Sequence, residues 1–161
     1  MPAFEVVNNI GQTVTNNDLQ GRWSLMFFGF THCPDVCPNT LNTLTQIQKE
    51  LSDENKPELI LVSVDPMRDT PEVINTYIRT FSNDIKAYTG ELHQIQALTS
   101  NLGVAYAYNA MPDGSYTVDH SAFIFIINPK GEYVATFTNM LNTPEDVANL
   151  KSDFKKLSKR G

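Results

Sequence analysis

Cys33 and Cys37 are the only two cysteines among the 161 residues, and they stand four positions apart within the segment FTHCPDVCP, residues 30–38. Two thiols with no other cysteine to pair with serve either as a redox pair or as ligands of a soft metal ion. A purely structural use, as small buried apolar side chains, does not suit a loop that also holds two prolines. The functional question is therefore which of the two chemistries applies, and whether a third ligand exists.

The prolines predict where each thiol lies. Pro34 disfavours a helical conformation at Cys33, and Pro38 suits the first turn of a helix. We expect Cys33 in a loop and Cys37 at a helix N-terminus, where the dipole and free N–H groups lower the pKa of the thiol and favour the thiolate. This spacing brings both sulfurs to one side, close enough to share an ion. A disulfide also fits if Cys33 sits in a turn.

Composition predicts one soluble globular domain over residues 1–161, which we expect to be a monomer. Hydrophobic residues make up 41% of the chain and charged residues 19%. The formal net charge of -6 argues against nucleic-acid binding and against a polybasic membrane patch. The sequence contains no apolar run long enough to span a bilayer. Two cysteines cannot build a disulfide scaffold.

Continuous apolar runs predict three buried strands, at residues 24–30, 59–64 and 122–127. Apolar residues at helical spacing and capping residues predict helices over residues 39–51, 71–81, 91–102 and 144–157, with Thr70 and Thr143 as caps. A short hairpin over residues 4–14, one helical turn at 16–19 and a strand at 132–137 complete the prediction.

The alternation of strands and helices predicts an α/β fold, with a mixed sheet flanked by helices on both faces. The order is thioredoxin-like, with an N-terminal β-hairpin extension and an extra helix. Thioredoxins, however, separate their redox cysteines by two residues rather than three. In open α/β sheets, sites lie at the carboxyl ends of strands. The cysteine loop directly follows the first long strand.

His120 is the best candidate for a third ligand. It immediately precedes the third buried strand, and in a thioredoxin-like fold the loop entering that strand faces the cysteine loop. Thioredoxins place a cis-proline there, whereas this chain has Asp119 and His120. His32, beside Cys33, is expected to serve local packing or hydrogen bonding, and His93 is expected to be solvated on a helix.

Two thiolates and one imidazole favour Cu(I). Iron–sulfur clusters usually need four cysteines, and structural zinc needs four protein ligands. A three-coordinate site with two sulfur ligands and one nitrogen ligand suits Cu(I). The predicted site therefore holds one copper ion on Cys33, Cys37 and His120. Asp119 is either an outer hydrogen-bond partner of these ligands or a strand-end cap.

Three segments resemble the signature blocks of the Sco/SenC copper proteins: GFTHCPDVCP at 29–38, VSVDPMRDTP at 62–71 and YTVDHS at 116–121. The blocks occur in order, and the resemblance covers essentially the whole chain. It implies a thioredoxin-like domain that binds one copper ion, Cu(I) and also Cu(II), through Cys33, Cys37 and His120. It also implies a role in building the binuclear copper centre of cytochrome c oxidase subunit II, as metallochaperone, thiol reductant or both.

The resemblance further implies partners and a location. The partners would be the copper domain of subunit II and other periplasmic copper chaperones. The protein would be anchored on the periplasmic side of the bacterial inner membrane or, as second choice, in the mitochondrial intermembrane space. This chain would then be the soluble fragment without its anchor.

Two alternatives use the same cysteines as catalytic groups. A thiol–disulfide oxidoreductase would use Cys33 and Cys37 to reduce the cysteines of a partner, and it would need His120 little. A thioredoxin-like peroxidase would activate one cysteine, but no recognisable peroxidase motif surrounds Cys33.

The middle block has its own predicted role. Asp65 and Pro66 end the second buried strand at the same edge as the cysteine loop, and an ion pair between Arg68 and Asp69 would shape this edge. We favour structural support of the site over docking of a partner as the role of this block.

Overall fold

The computed structural model describes residues 3–31, 36–51, 56–102, 106–114, 116–120, 123–137 and 144–160; of residues 36–39, 101, 106–109, 116–120 and 159–160 it describes the backbone only. The strands are β1 Glu5–Asn8, β2 Thr13–Thr15, β3 Ser24–Gly29, β4 Glu58–Ser63, β5 Ile85–Thr89, β6 Tyr106–Ala110, β7 Tyr116–His120, β8 Ile124–Ile127 and β9 Tyr133–Phe137. The helices are α1 Val36–Glu50, α2 Pro71–Arg79, α3 Leu92–Leu102 and α4 Pro144–Arg160, with a 3-10 turn at Asn16–Leu19.

Seven strands form one mixed sheet in the order β2-β1-β5-β4-β3-β8-β9. Strands β3, β4 and β5 are parallel, whereas β8 and β9 are antiparallel to their neighbours. The N-terminal hairpin β1–β2 joins the sheet through antiparallel pairing of β1 with β5. The predicted α/β class, mixed sheet and N-terminal hairpin are confirmed.

Alternate residues of the central strand β3 enter two separate cores. Leu25 and Phe27 pack on the face that buries apolar residues of α1, α2 and α4. Met26 and Phe28 pack on the opposite face, with apolar residues of α3 and of the N-terminal hairpin. Every residue of β3 is buried. Helices therefore cover both faces, as an uninterrupted apolar strand requires.

The sequence did not predict three strands. One is β5, in which Lys86 is exposed and the other four residues are buried. The strand therefore shows neither a regular alternation of apolar and polar residues nor an uninterrupted apolar run. The other two, β6 and β7, pair only with each other in a separate two-stranded sheet. Tyr, Thr and Val in β7 favour strands, and that preference was available in the sequence.

Helix boundaries differ from prediction by a few residues. Helix α1 begins at Val36, three residues before the predicted start, and α2 ends at Arg79 rather than at residue 81. The Thr70 hydroxyl accepts the N–H of Val73 at 3.3 Å, so the predicted cap of α2 is confirmed. The predicted cap Thr143 lies outside the described residues. In the described part of the chain, no helix combines the length and apolarity needed to cross a membrane.

Candidate metal centre

The cysteine loop leaves the sheet at the carboxyl end of β3. The carbonyl of Gly29 accepts the N–H of Val64 at 2.9 Å, which joins the ends of β3 and β4. His32 and Cys33 follow two and three residues after Phe30 and lie outside the described residues. Helix α1 then begins at Val36, and Cys37 is its second residue. The predicted position of Cys37 at a helix N-terminus is confirmed.

His120 is the last residue of β7, opposite Tyr106 of β6. It therefore ends a strand, where the sequence predicted a loop. Strand β8 is antiparallel to β3 and begins with Ile124 opposite Phe27. Strand β8 consequently begins near the carboxyl end of β3.

The register limits how far these residues can be from one edge. Cys33 is four residues after Gly29, and His120 is four residues before Ile124. Four residues span at most about 14 Å. The Cα of His120 therefore lies within about 14 Å of that of Ile124 at the start of β8, and the ligand set itself stays a prediction.

The side chains predicted to bind metal fall outside what the structure describes. The predicted ligand Cys33 and its neighbour His32 are not described at all. For the predicted ligands Cys37 and His120, and for Asp119, only the backbone is described. Among the side chains that are described, no group of three or more His, Cys, Asp or Glu could hold a metal ion.

His93 is exposed on α3, and its Nδ1 lies 3.3 Å from Oε2 of the equally exposed Glu91. The prediction that His93 is solvated is therefore confirmed. Its position on an exposed helix surface makes it a useful control residue for histidine substitutions.

The turn after β4 contradicts the predicted ion pair between Arg68 and Asp69. Arg68 pairs instead with Asp65 through its Nε. The carbonyl of Asp65 accepts the N–H groups of both Arg68 and Asp69, at 3.2 and 2.9 Å. This tight turn brings the side chain of Arg68 back to Asp65, while the adjacent Asp69 side chain points inward and is fully buried.

The carboxylate of Asp69 accepts hydrogen bonds from the ends of two strands. Its Oδ1 accepts the Thr31 hydroxyl at 2.5 Å, and its Oδ2 accepts the Thr31 N–H at 3.1 Å. Oδ2 also accepts the Ser63 hydroxyl at 2.7 Å. Sequence reasoning missed Thr31 and Ser63. The available signal was that each hydroxyl residue stands where a buried parallel strand ends.

A large groove lies at the other end of the sheet. Arg22, Glu58 and Lys86 line it, near the amino ends of β3, β4 and β5. These three charges are paired with one another, because Glu58 lies 2.8 Å from the Lys86 ammonium and 3.6 Å from the Arg22 guanidinium. We place the chemistry at the carboxyl edge, since the cysteine loop leaves the sheet there.

Fold and sequence together define a thioredoxin-like domain in which two cysteines, separated by three residues, follow the parallel strand β3. The SCO1/SenC family model matches residues 1–155. The chain belongs to the SCO1/SenC family.

Similar proteins agree in sequence and in fold. The chain is 37% identical over 155 residues to the SCO2-like protein RT0576 of Rickettsia typhi, covering 94% of this chain and 76% of that protein. The crystal structure of Arabidopsis thaliana ScoI with copper bound matches with a TM-score of 0.87 and 30% identity, over 98% of each chain.

A third similar protein is BsSco, described as a member of the Sco family of cytochrome c oxidase assembly proteins in which a disulfide switch was identified. It matches with a TM-score of 0.74 and 26% identity, over 98% of this chain and 92% of that one.

Proposed function

We propose that this chain binds one copper ion through Cys33, Cys37 and His120 and delivers it to the binuclear copper centre of cytochrome c oxidase subunit II. The observation that supports the proposal is that Cys37 starts the helix that follows β3, while His120 ends β7 four residues before β8, whose first residue pairs with β3 near its carboxyl end. The copper-bound state of the similar Arabidopsis protein and the description of BsSco as an assembly protein support the proposal.

The donor set suits copper that must later be released. Two thiolates and an imidazole are ligands that Cu(I) accepts, and Cu(II) also binds imidazole. Because Cys37 is at the start of α1, the helix dipole and free N–H groups favour its thiolate form. A site with three protein ligands leaves room for a ligand from the receiving protein, so that copper can pass by exchange of ligands. Copper is thus the cargo of this protein.

The proposal also includes a partner and a location, and both rest on membership of the SCO1/SenC family. The receiving partner is the copper domain of subunit II, and other periplasmic copper chaperones supply the metal. We place the protein as a monomer on the periplasmic side of a bacterial inner membrane. Copper transfer to isolated subunit II domain, followed by its visible spectrum, tests the partner directly.

An anaerobic Cu(I) titration of the reduced protein against a competing chelator tests the site. We expect one equivalent to bind tightly, and His120→Ala to weaken binding at least about tenfold, which corresponds to about 1.4 kcal/mol. His93→Ala is the matched control, because His93 is exposed on α3, and it should bind like the wild type. Equal affinity of His120→Ala and the wild type would show that His120 is not a ligand.

A second candidate function is reduction of a disulfide in the copper-receiving partner. The disulfide switch identified in the similar protein BsSco favours it. In this reaction Cys33 or Cys37 attacks the partner's disulfide, and the second thiol then releases the partner as a dithiol while the pair is oxidised. His120→Ala should leave this reductase activity largely intact, whereas it should weaken copper binding. The variant therefore distinguishes the two functions.

A further inference from the structure

The buried carboxylate of Asp69 holds Thr31 at two points. The hydroxyl of Thr31 donates to Oδ1, and its backbone N–H donates to Oδ2. Hydrogen bonds to an ionised carboxylate are shorter and stronger than those between neutral groups. With side chain and backbone bonded to one group, the orientation of the peptide at Thr31 is fixed.

Asp69 is itself immobilised by its surroundings. Its N–H donates to the carbonyl of Asp65 at 2.9 Å. Ser63 donates to the carboxylate, and the following residue, Thr70, caps α2. The carboxylate is therefore held by Ser63 of β4, and the backbone of Asp69 is held in the turn that precedes α2.

Thr31 is the last described residue before the cysteine loop, and Cys33 follows it by two residues. We propose that Asp69 is a positioning residue, which acts through Thr31 to fix the direction in which the cysteine loop leaves β3. The part of this inference that concerns copper rests on the proposed function. The part that concerns the loop does not.

Four variants separate positioning from general stability. Thr31→Val removes the hydroxyl but keeps the shape and the N–H, and Thr31→Ser restores the hydroxyl. Thr89→Val is the matched control, because the Thr89 hydroxyl bonds to the backbone carbonyl of the same Asp69 and not to its carboxylate. Asp69→Asn keeps the size of the side chain and weakens both hydrogen bonds from Thr31. It therefore tests the same Thr31–Asp69 contact from the other partner.

The first measurement needs no metal. In a Cys37→Ser background Cys33 is the only thiol, and its rate of alkylation by iodoacetamide reports how the loop presents it. We expect Thr31→Val and Asp69→Asn to raise this rate about fivefold, a change equivalent to about 1 kcal/mol. Thr89→Val and Thr31→Ser should leave the rate near that of the background protein.

The second measurement is the Cu(I) titration with both cysteines present. We expect Thr31→Val to weaken copper binding at least about fivefold, with recovery in Thr31→Ser and no change in Thr89→Val. Circular dichroism of each variant identifies any that has lost the fold. If Thr31→Val is unfolded, Asp69→Asn takes its place in the comparison. If Asp69→Asn is unfolded, the comparison rests on Thr31→Val.

The two measurements fail separately. If Thr31→Val alkylates at the rate of Thr89→Val, or if Thr31→Ser does not restore the background rate, the positioning role is wrong. If the alkylation rates shift but copper affinity does not, the role does not extend to copper. If the wild type binds no Cu(I), the proposed function falls, while the alkylation rates still decide the positioning role.

Discussion

At the scale of single residues, Cys37 lies at the start of α1, and the buried carboxylate of Asp69 lies between the chain that leaves β3 and the end of β4. The position of Cys37 at a helix start follows from Pro38, and the structure confirms it. The prediction of an ion pair between Arg68 and Asp69 was wrong, because the turn after β4 directs these consecutive side chains in different directions. Arg68 therefore pairs with Asp65 instead. Nothing local in the sequence specifies that geometry.

Oxidation of Cys33 and Cys37 to a disulfide should abolish Cu(I) binding, since the thiolates are the proposed ligands and a disulfide offers none. The measurement is a chelator competition on the anaerobic protein before and after oxidation, with mass spectrometry to confirm loss of two hydrogens. Reduction should restore binding. Retention of Cu(I) at the original affinity by the oxidised protein would contradict the ligand assignment.

At the scale of elements, the apolar runs predicted the strands that build the centre of the sheet. Strands β3, β4 and β8 are almost wholly buried, so their composition alone identifies them. Strand β5 was missed because Lys86 interrupts its burial. The pairing of β6 with β7 depends on contacts between separate segments, which periodicity within one segment cannot show.

The ion pair between helices α1 and α4 predicts a pH-dependent contribution to stability. Lys151 Nζ donates to Glu50 Oε2 at 2.5 Å, and this hydrogen bond, with one from Gln46, lowers the pKa of Glu50 below its ordinary value of 4.5. A lowered folded-state pKa contributes stability above the ordinary pKa, and that contribution is lost as the pH falls through the folded value.

Lys151→Met should therefore lower Tm slightly at pH 7, and the difference from wild type should shrink at pH 3 and in high salt. Lys156→Met, an exposed position on the same helix, is the control and should change Tm less at pH 7. Thermal melts by circular dichroism give the comparison. A Lys151→Met effect that is the same at both pH values would mean that packing, rather than charge, accounts for it.

At the scale of the whole molecule, copper binding and folding should be linked. A ligand that binds only the folded state at a free concentration 100 times its Kd stabilises that state by about 2.7 kcal/mol. For a domain of this size, each kcal/mol raises Tm by about 2–4 °C. Saturating Cu(I) should raise the Tm of the reduced protein by about 5–10 °C.

Anaerobic differential scanning calorimetry measures this increase, with His120→Ala as the comparison. The variant should gain less than the wild type at the same free Cu(I) concentration. An equal gain in both proteins would indicate that the metal binds without His120. No gain in either would indicate that Cu(I) does not prefer the folded state.

The N-terminal hairpin determines which strand forms one edge of the sheet. Strand β5 would be the last strand of the parallel sheet if β1 did not pair with it. An unpaired strand edge is a template for pairing with another chain. Beyond β1 the sheet ends with β2, of only three residues, which offers a short edge for such pairing. By pairing with β5, the hairpin thus replaces the long edge of that strand with a shorter one.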